Sequence, residues 1–168
     1  LTWEKILYVN EKTGVIDLVM DSKDPSTLYA STWQRRRKKW NDPRNEDGYD
    51  GSGIYKSTDA GETWKEINKG LPGARYRGRI GIDLCAARPE VVYAFVDNYE
   101  TYSEEEQEDE DAYGRPTGGM IKGATVYRSD DGGENWRRTS EENDYMAGLS
   151  ATYGWVFGQM RVDPVNPD

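Results

Sequence analysis

Short runs of apolar, aromatic and β-branched residues, separated by turn residues, dominate this chain. Residues 15–20 and 80–85 are apolar or alternate between apolar and polar, and a proline turn follows each run. After each turn comes a second run that contains Tyr-Ala, at Tyr29 and Tyr93. Glycines and prolines between such runs are typical of strands and not of helices. The pattern therefore predicts an all-β fold.

The predicted strands recur as a repeated unit. Residues 53–64 return as 124–136, and a third copy is cut at the front, where Thr2 and Trp3 open the chain. Within each unit a proline turn, a long loop and an aspartate turn separate four strands, which predicts a four-stranded antiparallel meander. The predicted strands are 15–20, 27–33, 53–57 and 62–67 in the first unit, and 79–84, 91–97, 124–129 and 135–140 in the second.

Four-stranded units in series are typical of a β-propeller. Because propellers close with about four to eight blades, about two complete blades plus flanking single strands predict an internal fragment of a longer protein. The remaining blades of that parent propeller are then expected partners of its exposed faces. The predicted divisions are the end of a preceding blade at 1–14, blades at 15–69 and 78–140, and the start of the next blade at 154–168.

The aspartate turn carries a resemblance to a known family. Ser-x-Asp-x-Gly-x-Thr-Trp is matched at every position in the first unit, and Asn takes the Thr position in the second. The matching residues are Ser57, Asp59, Gly61, Thr63 and Trp64, and then Ser129, Asp131, Gly133, Asn135 and Trp136. This pattern resembles the Asp-box, or BNR repeat. Together with the Pro-x-x-[Val/Leu]-Tyr-Ala element and the Trp-Gln-Arg-Arg-Arg segment, it is similar to bacterial sortilin-like and xyloglucanase-like (glycosyl hydrolase BNR repeat) proteins. The resemblance implies a propeller fold and a secreted or periplasmic location.

The physical role expected for these turns is structural. Asp59 and Asp131 can accept backbone N–H bonds within the turn, and Gly61 and Gly133 permit positive φ. The tryptophan that follows each turn can bury a large ring between elements. A catalytic site is made once, whereas this feature occurs in every unit. The repetition therefore argues against catalytic aspartates at these positions.

Each unit has one long insertion between its second and third predicted strands, at the end opposite the aspartate turns. Loops on a rigid scaffold are where binding usually resides. The first insertion holds five consecutive cations, residues 35–39, between two tryptophans. They could bind an anion or stack a sugar ring, and the alternative is a solvated loop. The candidate binding residues are Trp33, Arg35, Arg37 and Trp40, with Tyr153 and Trp155 in the connection that follows the second unit.

The second insertion is strongly acidic between residues 100 and 111. A solvated acidic loop is one interpretation, and attraction to the basic insertion of the neighbouring unit is another hypothesis. Residues 109–114 imitate the start of an EF-hand calcium loop. However, Tyr113 replaces an oxygen ligand and Met120 stands where the bidentate glutamate belongs. No metal site is predicted.

Composition narrows the possible functions. With 31 acidic and 22 basic residues, the net charge of −9 disfavours a nucleic-acid binder, which is usually basic. The absence of histidine excludes His-based triads and His-dependent zinc sites. Cys85 is the one cysteine, is expected to be a small buried residue and cannot form an internal disulfide. No apolar run approaches the roughly 18 residues that a membrane span needs, and no cofactor is implied.

Three functions remain open at the level of sequence. The first is a sortilin-like scaffold that binds a glycan, or a protein or peptide. The second is a xyloglucanase-like hydrolase, which needs two carboxylates flanking the scissile bond. The sequence singles out no such pair, so its catalytic residues stay unknown. The third is a sialidase, but the Arg-Ile-Pro motif of that family is absent, because Arg79 and Ile80 are followed by Gly81.

Overall fold

The computed structural model describes residues 2–35, 48–101, 121–149 and 158–168. They form two four-stranded antiparallel sheets, each with its strands in chain order. The first sheet comprises β1 (Thr13–Met20), β2 (Leu28–Gln34), β3 (Gly53–Ser57) and β4 (Lys65–Glu66), and the second comprises β5 (Arg77–Leu84), β6 (Val92–Thr101), β7 (Ile121–Ser129) and β8 (Arg137–Arg138). The predicted all-β fold of two four-stranded meanders is confirmed.

The fourth strand of each sheet is shorter than the sequence pattern predicts. After β4, the side chain of Asn68 accepts the N–H of Ile54 at 2.7 Å, and after β8 the hydroxyl of Ser140 accepts the N–H of Val126 at 3.0 Å. A side chain thus replaces the backbone carbonyl that would continue the ladder. The strand ends early because its partner's N–H is already satisfied.

The flanking segments differ from the prediction as well. The sequence pattern predicts strands at residues 2–8 and 156–162, but residues 2–8 and 158–162 have no regular secondary structure. Residues 156 and 157 lie outside the described residues. A helix that the sequence pattern did not predict, α1 (Asp144–Leu149), follows β8, and a short 3-10 helix (Ala74–Tyr76) precedes β5. The 3-10 helix lies in the connection between β4 and β5, where backbone polar groups need local partners.

The core lies between the two sheets, where β1 and β2 pack on β5. Full burial of one large aliphatic side chain contributes roughly 1.5–3 kcal/mol, so this seam is the main source of stability. Polar bonds also cross it, since the Ser31 hydroxyl donates to the carbonyl of Ile80 at 2.6 Å. The core side chains are Tyr29, Ile54, Ile67, Ile80, Ile82, Leu84, Val92, Ala94, Val96, Tyr127 and Trp136.

Two expectations from composition can be compared with the structure. Cys85 is fully buried at the end of β5, as expected for a small apolar residue. Its thiol lies 3.5 Å from the carbonyl oxygen of Pro164. No helix in the described part of the chain has the length and apolar character to cross a membrane.

Candidate binding end of the sheets

The topology separates two ends of each sheet. The β3–β4 and β7–β8 connections lie at one end, which we call the turn end. The β2–β3 and β6–β7 connections, which carry the two long insertions, lie at the other end, which we call the insertion end. The two ends therefore present different chemistry on one scaffold.

At the turn end, the first aspartate turn is closed by its own side chains. The Ser57 hydroxyl donates to Asp59 Oδ1 at 2.7 Å and accepts the N–H of Gly61 at 2.8 Å. The same carboxylate accepts the N–H of Thr63 at 2.8 Å and the hydroxyl of Thr63 at 2.5 Å. Both carboxylate oxygens of Asp59 therefore accept hydrogen bonds inside the turn.

The second turn repeats this geometry. Ser129 donates to Asp131 Oδ1 at 2.7 Å and accepts the N–H of Gly133 at 2.8 Å. Asn135 donates its backbone N–H at 2.9 Å and its side-chain amide at 2.7 Å to the two oxygens of Asp131. Asn thus replaces Thr without loss of a bond, because both side chains carry a donor at the same place.

These bonds lower the pKa of both aspartates. The hydrogen bond from the Thr63 side chain is the largest cause of the lowering of the pKa of Asp59 to about 2. For Asp131 the side chain of Asn135 is the largest cause, and its pKa is also about 2. Hydrogen bonds to the ionised form stabilise it against protonation. Both groups are therefore anionic acceptors near neutral pH and poor candidates for a general acid.

At the insertion end, a buried glutamine anchors both ends of the first insertion. Gln34 ends β2, and its side-chain amide donates to the carbonyl of Gly48 at 2.7 Å. Its oxygen accepts the N–H of Gly51 at 2.9 Å, and its backbone N–H donates to the Ser52 hydroxyl at 3.1 Å. A buried polar group that is fully satisfied in this way rigidifies its surroundings. The insertion consequently leaves the sheet from a fixed base.

A buried arginine connects this base to the second sheet. Arg77 begins β5 and donates from Nε to the carbonyl of Ser52 at 2.7 Å and from Nη1 to the carbonyl of Pro72 at 3.1 Å. Nη2 lies 4.0 Å from Glu66. Burial lowers the pKa of Arg77, although Arg remains charged at any physiological pH. The guanidinium therefore couples the insertion base to the seam between the sheets.

A carboxylate and two tyrosines form a further buried cluster at the insertion end. We call this cluster, together with Gln34 and Arg77, the buried frame. Asp97 on β6 is almost fully buried, as is Tyr49 from the first insertion. Tyr99 hydrogen-bonds both, and burial, followed by the nearby charge of Asp97, raises its pKa. The rings of Tyr49 and Tyr99 lie 6.5 Å apart. A Cβ at Gly78 would lie 2.7 Å from both Asp97 Oδ2 and Tyr99 Oη, so glycine is needed there.

The structure places two of the six candidate binding residues. Trp33 is only 9% exposed, and the guanidinium carbon of Arg35 lies 5.4 Å from its ring centroid. Trp33 is therefore a buried platform under Arg35 and does not offer the open ring face on which a sugar would stack. Arg35 itself is exposed. The other four candidates, Arg37, Trp40, Tyr153 and Trp155, lie outside the described residues.

The acidic insertion is described only at its base. Glu100 lies 4.0 Å from Lys122 across the start of β7, and Lys122 also lies 3.4 Å from Glu142. Residues 102–111, the rest of the acidic run, lie outside the described residues, as does most of the basic run. Within the described ranges, no group of three or more metal-ligating side chains is placed to hold a metal ion.

Sequence reasoning missed the buried frame of the insertion end. A signal was present, because Gln34 and Arg77 flank the predicted strands 27–33 and 79–84, and Asp97 directly follows the apolar run 91–96. Polar residues are buried at such positions only when they have partners. Those partners come from segments distant in sequence, so the pattern alone could not identify them.

Comparison with known proteins agrees with this architecture. No protein-family model matches the chain, and no curated protein matches it. The GH74 xyloglucanase from Xanthomonas campestris superposes with a TM-score of 0.52 at 16% identity, over 99% of this chain and 20% of that one. This chain has the fold of a β-propeller segment. It spans about a fifth of the length of the xyloglucanase, and at this identity the likeness concerns the fold alone.

Two further solved structures match more weakly. An ancestral GH74 enzyme gives a TM-score of 0.46 at 12% identity, over 79% of this chain and 14% of that one. YCF48 from Cyanidioschyzon merolae gives 0.39 at 16% identity, over 82% of this chain and 27% of that one. At these scores neither structure supports an argument about this chain.

Proposed function

We propose that this chain is part of a BNR/Asp-box β-propeller of the sortilin-like type, which acts as a binding scaffold for a glycan or a protein ligand. The ligand contacts the insertion end. The supporting observation is the contrast between the two ends of the sheets. At the turn end, the aspartate carboxylates accept hydrogen bonds from their own turns. At the insertion end, the buried side chains of Gln34, Arg77 and Asp97 give the insertions a rigid base. Sites held by fixed supporting side chains are typical of binding surfaces.

Within this proposal, Arg35 is the described residue that contacts the ligand. It is exposed at the end of β2, and its guanidinium rests on the buried ring of Trp33. Stacking on an aromatic ring restricts the orientation of the guanidinium. An arginine held in this way suits a carboxylate or the hydroxyl groups of a sugar.

The remaining blades of the parent propeller are the proposed partners of the outer faces. Leu18 and Met20 of β1 are more than half exposed on the face that points away from the second sheet. The proposed blades, residues 15–69 and 78–140, would then lie between a preceding blade ending at 14 and a following one starting at 154. Burial of these side chains by a further sheet follows from the repeat architecture.

Ligand binding by the full-length protein tests this function. We expect a glycan array or a panel of peptides to yield a ligand, and Arg35→Ala to weaken its binding at least several-fold. Arg137→Ala is the matched control, because Arg137 is an exposed arginine at the turn end that pairs with Asp130. Equal binding by both variants and the parent protein would remove Arg35 from the site. A full-length protein that binds neither class of ligand would contradict the scaffold function.

A xyloglucanase-like glycoside hydrolase is the second candidate. The fold shared with the Xanthomonas campestris xyloglucanase over nearly the whole chain favours it. Release of reducing ends from xyloglucan by the full-length protein would replace the scaffold proposal with this one. Binding of a glycan without its hydrolysis would exclude it for that glycan.

A further inference from the structure

The first strand of each sheet carries an aspartate that accepts a backbone N–H from a distant segment, which is β5 for Asp17 and the irregular segment 158–162 for Asp83. Asp17 on β1 accepts the backbone N–H of Ile82 on β5 at 3.1 Å through Oδ2. Asp83 on β5 accepts the backbone N–H of Val162 at 2.9 Å, again through Oδ2. These bonds connect residues 65 and 79 positions apart in the chain. The same side chain at the same position thus makes the same contact twice.

The second carboxylate oxygen orients the side chain in both cases. Asp17 Oδ1 accepts the N–H of Leu18 at 3.1 Å, and Asp83 Oδ1 accepts the N–H of Leu84 at 3.0 Å. One oxygen thus bonds its own strand, while the other bonds β5 in the case of Asp17 and the segment 158–162 in the case of Asp83. Two simultaneous acceptors are needed, which a carboxylate supplies and an asparagine, with one oxygen, does not.

The bond to Asp17 satisfies a backbone N–H on the open edge of a strand. Among the described strands, β5 is an edge strand that pairs with β6 alone. The N–H of Ile82 points to Asp17 and hence away from β6. Unpaired N–H groups on an edge strand must be satisfied and can otherwise pair with the wrong strand. A carboxylate that accepts such an N–H makes a stronger bond than a neutral acceptor.

We propose that this aspartate is a register latch, which selects one backbone N–H in the first strand of the next sheet and thereby fixes how successive sheets align. The apolar seam is non-directional, so it tolerates sliding of one sheet against the other. The bond from Asp17 to Ile82 does not, because a shift of one residue turns that N–H toward the other edge. The donor lies directly before the next latch aspartate in each instance, Ile82 before Asp83 and Val162 before Asp163.

Asp163 is the third member of this series. Pro164 follows it and has no N–H, and Asp163 Oδ1 accepts instead the N–H groups of Val165 at 2.8 Å and Asn166 at 3.0 Å. By analogy with Asp17 and Asp83, we propose that Asp163 Oδ2 accepts the N–H of an aliphatic residue that directly precedes an aspartate in the first strand of a further sheet. This third bond rests on the proposed function, in which further blades surround this segment, whereas the first two bonds do not.

Hydrogen–deuterium exchange on the full-length protein tests the latch, read by mass spectrometry at peptides that contain Ile82 and Val162. We expect Asp17→Ala to accelerate exchange at Ile82 by roughly ten-fold, the effect of losing one charge-assisted hydrogen bond, with no change at Val162. Asp83→Ala should accelerate Val162 and leave Ile82 unchanged. Each variant is therefore the control for the other.

A third variant tests for a general effect of removing a carboxylate. Asp24 accepts the N–H of Ser26 and the hydroxyl of Thr27 within its own turn, so Asp24→Ala should leave both reporter peptides unchanged. Equal acceleration of both peptides by all variants would show general destabilisation and overturn the latch. Unchanged exchange at Ile82 in Asp17→Ala would overturn it too. If an alanine variant does not fold, Asp17→Asn and Asp83→Asn should show the same crossed pattern with smaller changes.

The third bond has a separate outcome. Asp163→Ala should accelerate exchange in a peptide outside the present 168 residues, at an aliphatic residue directly before an aspartate. If the Asp17 and Asp83 variants behave as expected and Asp163→Ala changes no such peptide, the assignment of Asp163 is wrong. In that case the latch between the two described sheets still holds, and the proposed function, which ligand binding tests separately, is unaffected.

Discussion

The two sheets share one repeat but differ in how far it is buried. Trp136, after the second aspartate turn, is 5% exposed, and its indole donates to the carbonyl of Ile67 at 2.7 Å. Trp64, at the matching position of the first sheet, is half-buried, and its indole donates to Gly61 of its own turn. Ile67, whose carbonyl accepts the bond from Trp136, is 3% exposed, whereas Ile6, three residues after Trp3 as Ile67 is after Trp64, is 57% exposed.

The first strands show the same difference. Leu84, which follows the latch aspartate of β5, is 9% exposed, whereas Leu18, which follows that of β1, is 58% exposed. The second sheet is flanked by the first sheet and by residues 158–168, while no described sheet covers the outer face of the first one. The hydrogen bonds of the serine and aspartate side chains are the same in both turns, so the repeat forms its turn without a neighbour but buries its apolar residues only with one.

The largest expected effect is at the buried tryptophan. Trp136→Ala should lower the free energy of unfolding by about 3–5 kcal/mol, because it leaves a large cavity in the seam and an unpaired carbonyl at Ile67. Trp64→Ala should lower the free energy of unfolding by a smaller amount, because the Trp64 ring is only half-buried. Denaturant titration compares the two, and Trp3→Ala, at a residue that is 99% exposed, is the control. Equal decreases in the free energy of unfolding for Trp136→Ala and Trp64→Ala would contradict the comparison.

A glycine in the seam should give the next largest effect. A Cβ at Gly70 would overlap the carbonyl oxygen of Trp136, and the φ of Gly70 is +97°. Gly70→Ala should therefore destabilise the protein by at least about 1–3 kcal/mol through overlap and backbone strain. Gly14→Ala is the control, since nothing lies within 4 Å of a Cβ there. A melting temperature that both variants share with the parent protein would argue against close contact at Gly70.

The two aspartate turns differ at one position of positive φ, which holds alanine in the first turn and glycine in the second. Ala60 has a φ of 60°, and the equivalent Gly132 has a φ of 66°. A non-glycine residue in this conformation costs about 1 kcal/mol. Ala60→Gly should therefore raise the stability of the first turn by up to about 1 kcal/mol, and Gly132→Ala should lower that of the second by at least as much. A decrease in melting temperature for Ala60→Gly would contradict this account of strain.

The smallest expected effect is the pH dependence of the turns. Asp59 and Asp131 have folded pKa values of about 2, below the value of about 3.9 for an unfolded aspartate. Their contribution to stability is therefore fully present above about pH 4 and is lost as the pH falls toward 2. Both groups are near the surface, so the effect is modest. In Asp59→Asn plus Asp131→Asn, melting temperature should depend less on pH between 4 and 2, and an unchanged slope would contradict this assignment.

Much of the architecture could be predicted from the sequence because it is encoded locally. Ser57, Asp59 and Gly61 form their turn through bonds that span at most four residues, so the motif alone specifies it. The repeated alternation between turns likewise predicted two four-stranded meanders, because strand order in a meander follows chain order. The short β4 and β8 strands were not predicted, since the side chains of Asn68 and Ser140 end them from outside the strand pattern.

The candidate site was less predictable. The sequence identified which connections carry the insertions, and it marked Trp33 and Arg35, but it did not show that Trp33 lies buried beneath Arg35. Nor could it bring Tyr49 beside Tyr99, or Asp17 beside Ile82, across different sheets. Short-range hydrogen bonds and alternation are written in neighbouring residues, so the chain by itself determined its turns, its strands and their order. Burial and contacts between sheets depend on the relative positions of distant segments, which only the tertiary structure decided.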